Sequence, residues 1–548
     1  MPFATVRALI LASLATTAAP FASAQSPWTR LGTDLVEPGA FTGMGIAFEG
    51  TTLLAGAPYS VSGQPRSVFD PSRLDPPGAL LAYEEIGGAW TLTQHVQPPD
   101  GVSADRFGVA VVLDGDEAFV SAPGAIANGI RSGAVYRYER VGGQWLERQK
   151  LVPQGAQSFG GFGNHMDLDG DQLIVGAPLH SGAGIREWGR GFVFERTPTG
   201  DWIEAGALVP PPMPDEAWAG YRVAIDGDRA VLGVYGDRTN GNGAGAACVF
   251  DRTPQGWVPV QQVLPQRGTQ FAHFSFSLLL QGDLLVAGSF RGGVERFHTG
   301  TLHVFRHDGT SFQEVQELMP PGKEYAASFG ETAWLSETGE LLAGLPGSDG
   351  IGGRIAVHRP RADGTFELSS IQWPPQTEFV DCFGWKVRTS NGRIAATAAV
   401  ARVAGEPRGA VYVWDPAAVG YESPRCAGSP GQGAGPQEVM LRARGRIASG
   451  SPSAELVVTE LPSSAMTLLL AGSPIGATDA FGFGCIGGPY VRLSPPAAAS
   501  VRGSLTWSLA STAAAGLITA GSTWSFQAWA WDGVAAHHSN ALDLRFEP

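Results

Sequence analysis

The sequence predicts an all-β chain: a seven-bladed β-propeller closed by its own N-terminal strand, followed by a small C-terminal β-sandwich. Three observations predict it. A glycine-led apolar strand recurs seven times, starting at Gly78, Gly133, Gly189, Gly245, Gly300, Gly353 and Gly409, a period of 53 to 56 residues. A strand, a tight Asp-Gly-Asp turn and a second strand, FGVAVVLDGDEAFVSAP from Phe107 to Pro123, returns as FGNHMDLDGDQLIVGAP from Phe162 to Pro178. An aromatic-led strand ending in proline completes each of the first six copies and is missing from the seventh, yet one stands without a blade at Trp28. Self-similarity at a fixed period signals a repeat architecture, and four short antiparallel strands per repeat are the content of a propeller blade.

Composition agrees with many short strands joined by turns. The 548 residues include 75 Gly and 40 Pro, with 16% charged and 43% hydrophobic. Such a chain is too long for one ordinary core, too rich in Gly and Pro for long helices, and too apolar for disorder. The formal charge of −14 and the lack of a basic cluster exclude a phosphate-backbone partner, so no nucleic acid is expected.

Residues 1–24 read as a secretory signal. Arg7 supplies the positive region, Ala8 to Ala19 the apolar run and Ala22-Ser23-Ala24 a small-residue cleavage site, so the mature chain is expected to begin at Gln25. No later stretch has the apolar length to span a bilayer. The expected location is therefore outside the cell, secreted or at the cell surface.

The propeller is expected over residues 25–418. The first hairpin of each blade follows the 107–123 pattern. Copy one has MGIAFEGTTLLAGAP, copy four YRVAIDGDRAVLGVY and copy five FSFSLLLQGDLLVAGSF, and copies six and seven begin at Phe329 and Phe383. The glycine-led strand follows. The last strand runs from Trp90, Trp145, Trp202, Trp257, Phe312 and Phe366. After Trp414 no such strand appears, whereas WTRLGTDLVEP at Trp28 has the form. Ring closure accounts for both, because it removes the edges an open array would expose.

Residues 419–437 read as a Gly/Pro/Ser-rich linker. Residues 438–548 carry seven candidate strands, from EVMLRARG to ALDLRFEP, which fit a small sandwich. Of the four cysteines, Cys248 lies in an apolar strand and reads as a core residue, while Cys426 and Cys485 flank one region and are the preferred disulfide pair.

The pairs Phe107-Gly108 with Ala122-Pro123, Phe162-Gly163 with Gly176-Ala177-Pro178, and Gly56-Ala57-Pro58 resemble FG-GAP repeats, the units of the integrin α-subunit propeller and of many bacterial exported proteins. Phe329-Gly330 and Phe383-Gly384 keep the first half. The resemblance is nearest to the bacterial form. It implies calcium in the loop between blade strands one and two, with Asp167, Asp169 and Asp171 as the metal candidates. That loop is long in calcium-binding repeats, since Ca²⁺ takes six to eight oxygens. Here it is a short hairpin turn, so turn chemistry is the expected role and no cofactor is assigned, calcium being the one alternative.

No G-x-S-x-G is present and the ten His are scattered, so no catalytic residue is assigned. The variable element is the loop after the Gly-Ala-Pro strand, and the repeat places these loops on one propeller face. Tyr59, Arg66, Arg73, His180, Arg186 and Trp188 are the ligand-contact candidates there. The expected function is a non-enzymatic binding or adhesion protein that presents this face to an extracellular protein or glycan. A polysaccharide-acting hydrolase or lyase with a site at the propeller channel, and a structural surface component, are the alternatives.

Overall fold

The computed structural model describes residues 28–32, 40–59, 77–182, 184, 186–213, 215–268, 270–292, 299–320, 328–347, 353–372, 382–403 and 406–415, and beyond them the strands of a second unit. The chain divides into two compact units, Met1–Gly420 and Tyr421–Pro548. The described residues contain strands and no helix, and so none long and apolar enough to cross a membrane.

The first unit is a ring of seven four-stranded antiparallel sheets. Blade 2 shows the pattern, with Val111–Asp114 innermost, then Glu117–Ala122, Ala134–Val141 and Gln144–Leu151 at the rim. The second strand is buried at every residue, so both faces read as apolar, whereas the rim strand alternates exposed and covered positions. Each interface between neighbouring blades has its own apolar cluster. Phe107, Val111 and Tyr136 pack on Leu54 and Leu80 of blade 1, and Phe119 and Val135 pack on Phe162 and Leu173 of blade 3. The core therefore lies between the sheets, and the seven innermost strands, each beside the next, surround an axis.

The repeated glycines serve these interfaces. Gly108 has φ 98°, and a Cβ there would fall 2.8 Å from the Gly56 Cα of the preceding blade. A Cβ on Gly56 would in turn fall 1.9 Å from the Gly108 carbonyl oxygen. The Phe-Gly of one blade and the Gly-Ala of its neighbour thus form one backbone-to-backbone contact, repeated at Gly176 with Gly220 and Gly344 with Gly384. Phe-Gly also occupies the central positions of a tight turn, closed for example by Asn164 N–H donating to Gly161 O at 3.1 Å around Phe162-Gly163. Positive φ at the second central position favours Gly there.

The seventh blade takes its rim strand from the other end of the unit. Trp28–Leu31 pairs antiparallel with Ala410–Trp414, Trp28 opposite Trp414 and Leu31 opposite Val411. Trp28 is 6% exposed, its ring edge-on to Phe383 at 5.0 Å. On the other side of this blade, Arg393 Nη1 donates to Glu85 Oε2 at 2.6 Å and Gly50 N–H donates to Ser390 Oγ at 2.8 Å, joining blade 7 to blade 1.

The second unit has a three-stranded sheet (Met440–Arg444, Glu455–Thr459, Leu505–Ser508) and a six-stranded sheet. In the latter the aromatic strand Thr523–Trp531 is central, pairing with Met466–Pro474, Ala536–His538 and Leu542–Arg545. Each of the seven expected strands is present. Residues 419–437, Cys426 and Cys485 lie outside the described residues.

Candidate functional site

Strand order fixes which loops meet. Loops joining strands two and three share one face with the crossings between blades, and the two-residue hairpin turns lie on the other. Backbone bonds tie the former together, such as Glu216 N–H to Arg186 O at 3.0 Å and Trp218 N–H to Glu187 O at 3.1 Å. On this face the residue before each Phe-Gly position has a left-handed backbone in all seven blades: Phe41, Arg106, Gly161, Trp218, His273, Ser328 and Cys382. Six of the seven are not glycine. Positions of this kind cost roughly 1–3 kcal/mol each and gather where a surface is held in a set shape.

The sequence-predicted contact residues have varied fates. Trp188 is 7% exposed, donates its indole N–H to Pro211 O at 3.2 Å and packs in the interface between blades 3 and 4. His180 is 5% exposed against the Phe192 ring. Both shape the face from beneath. Arg186 is exposed and paired with Glu216. Tyr59 is partly buried, its ring 5.7 Å from that of Phe41 and beneath the Arg106 guanidinium. Arg66 and Arg73 lie outside the described residues.

The three aspartates of blade 3 do not converge. Asp167 accepts Ile225 N–H at 2.9 Å and Asp169 accepts Gly227 N–H at 2.6 Å, both from blade 4. Asp171 faces Arg196 of its own blade. Among the described residues no three His, Cys, Asp or Glu side chains gather as metal ligands would. The turn acid has a different use, which recurs. Glu49 accepts Gly115 N–H, Asp226 accepts Gly282 N–H and Glu337 accepts Asn391 N–H, each tying one blade's turn to the next.

Chemically distinctive side chains gather at the axis. The residue two after the Phe position is Met44, Val109, Asn164, Tyr221, Phe276, Glu331 and Trp385 in blades 1 to 7; the next is Gly45, Ala110, His165, Arg222, Ser277, Thr332 and Lys386. Blades 1 and 2 thus offer small apolar groups, and blades 3 to 7 offer charge and aromatic rings. Deeper lie Asp167, Trp334 and Arg388. These groups act on one another across the ring. Burial, and then Arg222, Lys386 and Arg388, hold the His165 imidazole well below its usual range. Burial and then Arg222 depress the Lys386 ammonium, while burial raises Glu331. Burial pushes Asp167 up to about 6 against the pull of its N–H donors and Arg388.

The cations are held without carboxylate partners. Arg222 donates to Tyr221 O at 3.1 Å and lies 4.9 and 4.8 Å from the Tyr221 and Phe276 ring centres. Arg388 donates to Val387 O at 2.8 Å and lies 4.3 Å from the Trp334 ring. Among the described residues none of Arg222, Lys386 and Arg388 forms an ion pair.

Beside them, at the mouth, an aromatic group bridges blades 4 and 5. Tyr235 stacks on His273 at 4.1 Å and 7°, His273 lies 5.8 Å from Phe290, and Trp218 lies 5.7 Å from Tyr235. Trp218, Tyr235 and Phe290 are partly exposed. Tyr235 and Phe290 stand where copies one to three have Pro58, Pro123 and Pro178, a substitution visible in the sequence once the copies are aligned. That alignment also exposes Arg222, Glu331, Lys386 and Arg388, which motif reasoning passed over because no single repeat contains more than two of them.

The FG-GAP repeat family matches residues 90–138 and 145–194. Each matched unit starts near a rim strand and ends in the third strand of the next blade, the phase that leaves the seventh blade to be completed from the N-terminus. No curated protein matches the chain. Among solved structures, the chain is similar to the periplasmic gluconolactonase PpgL of Pseudomonas aeruginosa at 18% identity and a TM-score of 0.41, covering 60% of this chain and 84% of that one.

Proposed function

Starting from a chain that carries FG-GAP repeats in a seven-bladed propeller, we propose that it is an exported, non-enzymatic binding protein. It holds an extracellular glycan, or a protein, at the mouth of the axis on the loop face. The observation that carries this reading is the partly exposed aromatic group of Trp218, Tyr235 and Phe290, set beside the Arg222 guanidinium on a rigid seven-blade frame. Flat rings offer large contact area at little entropy cost, and they suit sugar faces as well as apolar side chains. The strained backbone of Trp218 and His273 keeps the rings in place before a ligand arrives. The second unit then serves for attachment or spacing.

The test is a glycan array combined with pull-down from the surface of the source cells, using the whole chain and Trp218→Ala and Phe290→Ala variants. Binding that both variants weaken supports the reading. Binding unaffected by either places the ligand elsewhere and contradicts it.

A second reading, an exported polysaccharide-acting hydrolase or lyase, is favoured by one observation. Glu331 and Lys386 are driven toward neutrality from opposite directions and sense each other across the axis, as an acid–base pair would. Chain cleavage of a bound polysaccharide, lost in Glu331→Gln, would establish it.

A further inference from the structure

We propose that the propeller axis is an anion site for the carboxylate of an acidic saccharide, formed by Arg222 of blade 4 with Lys386 and Arg388 of blade 7. The proposal rests on the binding reading above and specifies its ligand. Three cations face a common axis from two blades three positions apart, and among the described residues none forms an ion pair. All three side chains are partly exposed, so an anion entering the axis meets three positive groups at once. The two carboxylates at the axis do not fill it. Asp167 is engaged by the backbone of blade 4, and Glu331, 5% exposed, acts on Lys386 and Arg222 through space while forming no ion pair among the described residues.

A saccharide is favoured over a free carboxylate by what adjoins the cations. The rings of Trp218, Tyr235 and Phe290 lie at the mouth, where a sugar ring could stack while its carboxylate reaches inward. Arg222 lies between, its guanidinium against the Tyr221 and Phe276 rings, a position that fixes its planar donors. The opposite wall, Val109 and Ala110 of blade 2 with Met44 and Gly45 of blade 1, is apolar and uncharged.

Protonation follows from the same geometry. The groups facing Lys386 are Arg222, Glu331, Arg388 and His165, with Asp167 behind Arg388. Lys386 is depressed and Glu331 raised, so lowering the pH through neutrality charges the one and discharges the other. Both steps make the site more positive. A bound carboxylate favours the protonated lysine, so binding takes up protons and affinity rises as the pH falls from 9 to 7.

The test is calorimetric titration of the whole chain at low salt with trigalacturonate, the neutral trisaccharide of the same linkage, and citrate. The proposal expects trigalacturonate to bind at least about tenfold more tightly than either. It expects Lys386→Met and Arg222→Gln each to remove about tenfold of that affinity, and Glu331→Gln to increase it. Glu331→Gln removes a negative charge and keeps the shape, so its result stands even if a cation variant does not fold. Equal binding of acidic and neutral saccharides overturns the anion site and leaves the binding function intact. Citrate binding as tightly as trigalacturonate overturns the saccharide assignment. No binding by any saccharide overturns the glycan reading together with this one.

Discussion

His358, in the third strand of blade 6, is 3% exposed, and its Nδ1 has no partner among the described residues. Burial lowers its pKa to about 4. A histidine depressed in the fold contributes stability that is whole above its ordinary pKa of 6.5 and is lost as the pH falls toward 4, here about 3 kcal/mol in total. His358→Leu is therefore expected to narrow the gap between melting temperatures at pH 7 and pH 4; an unchanged gap would refute the assignment. Gly108 makes a second case. Gly108→Ala would hold a Cβ at φ 98° against Gly56 and the Ala79 carbonyl, and should cost at least about 2 kcal/mol in chemical denaturation. The sequence made Gly108 legible, since Phe-Gly and Gly-Ala-Pro recur as partners. It did not reveal Lys386 or Glu331, because their environment is made by residues more than fifty positions away on other blades.

At the scale of elements, the rim strands carry a device that the repeats spell out. The glutamine four residues after the leading aromatic bonds with both of its amide atoms to the leading aromatic of the next blade. Gln149 donates to Trp202 O at 2.7 Å and accepts Trp202 N–H at 2.9 Å; Gln94 with Trp145, Gln261 with Phe312 and Gln316 with Phe366 repeat it. A bulge at the same place in the rim pairs of blades 1 to 6, as between Arg137 and Tyr138, adds a residue beside this position and bends the strand. Blade 3 has Gly206 at this position, where a Cβ would meet only Trp257 at 3.7 Å. Gln149→Ala should cost about 1–3 kcal/mol, and Gly206→Gln should raise the melting temperature by supplying the missing clasp to Trp257. A Gly206→Gln protein no more stable than its parent would contradict the clasp's role. The strand pattern was fully legible, but the reason for the glutamine was not, because its partner lies about fifty residues away.

At the largest scale, the first unit is a ring whose cores lie between blades and whose axis is left to function. Deleting Trp28 to Pro38 removes the rim strand of blade 7 and uncovers Phe383 and Val411, and is expected to lower the melting temperature sharply. An unchanged transition would show that the ring does not depend on this strand. Blade number and strand order could be read from spacing alone. The mouth could not, because a repeat emphasises what its copies share, and the axis is built from the positions where they differ: His165, Arg222, Glu331, Lys386. Loop residues that stood out as contacts, Trp188 and His180, are buried supports of that face. The central claim is that the axis holds a saccharide and leaves it unaltered. Mass spectrometry of trigalacturonate recovered after prolonged incubation with a stoichiometric amount of protein tests it most directly. The account predicts that the trisaccharide is retained by the protein and recovered whole; shorter or unsaturated fragments, absent from the Glu331→Gln protein, would contradict it.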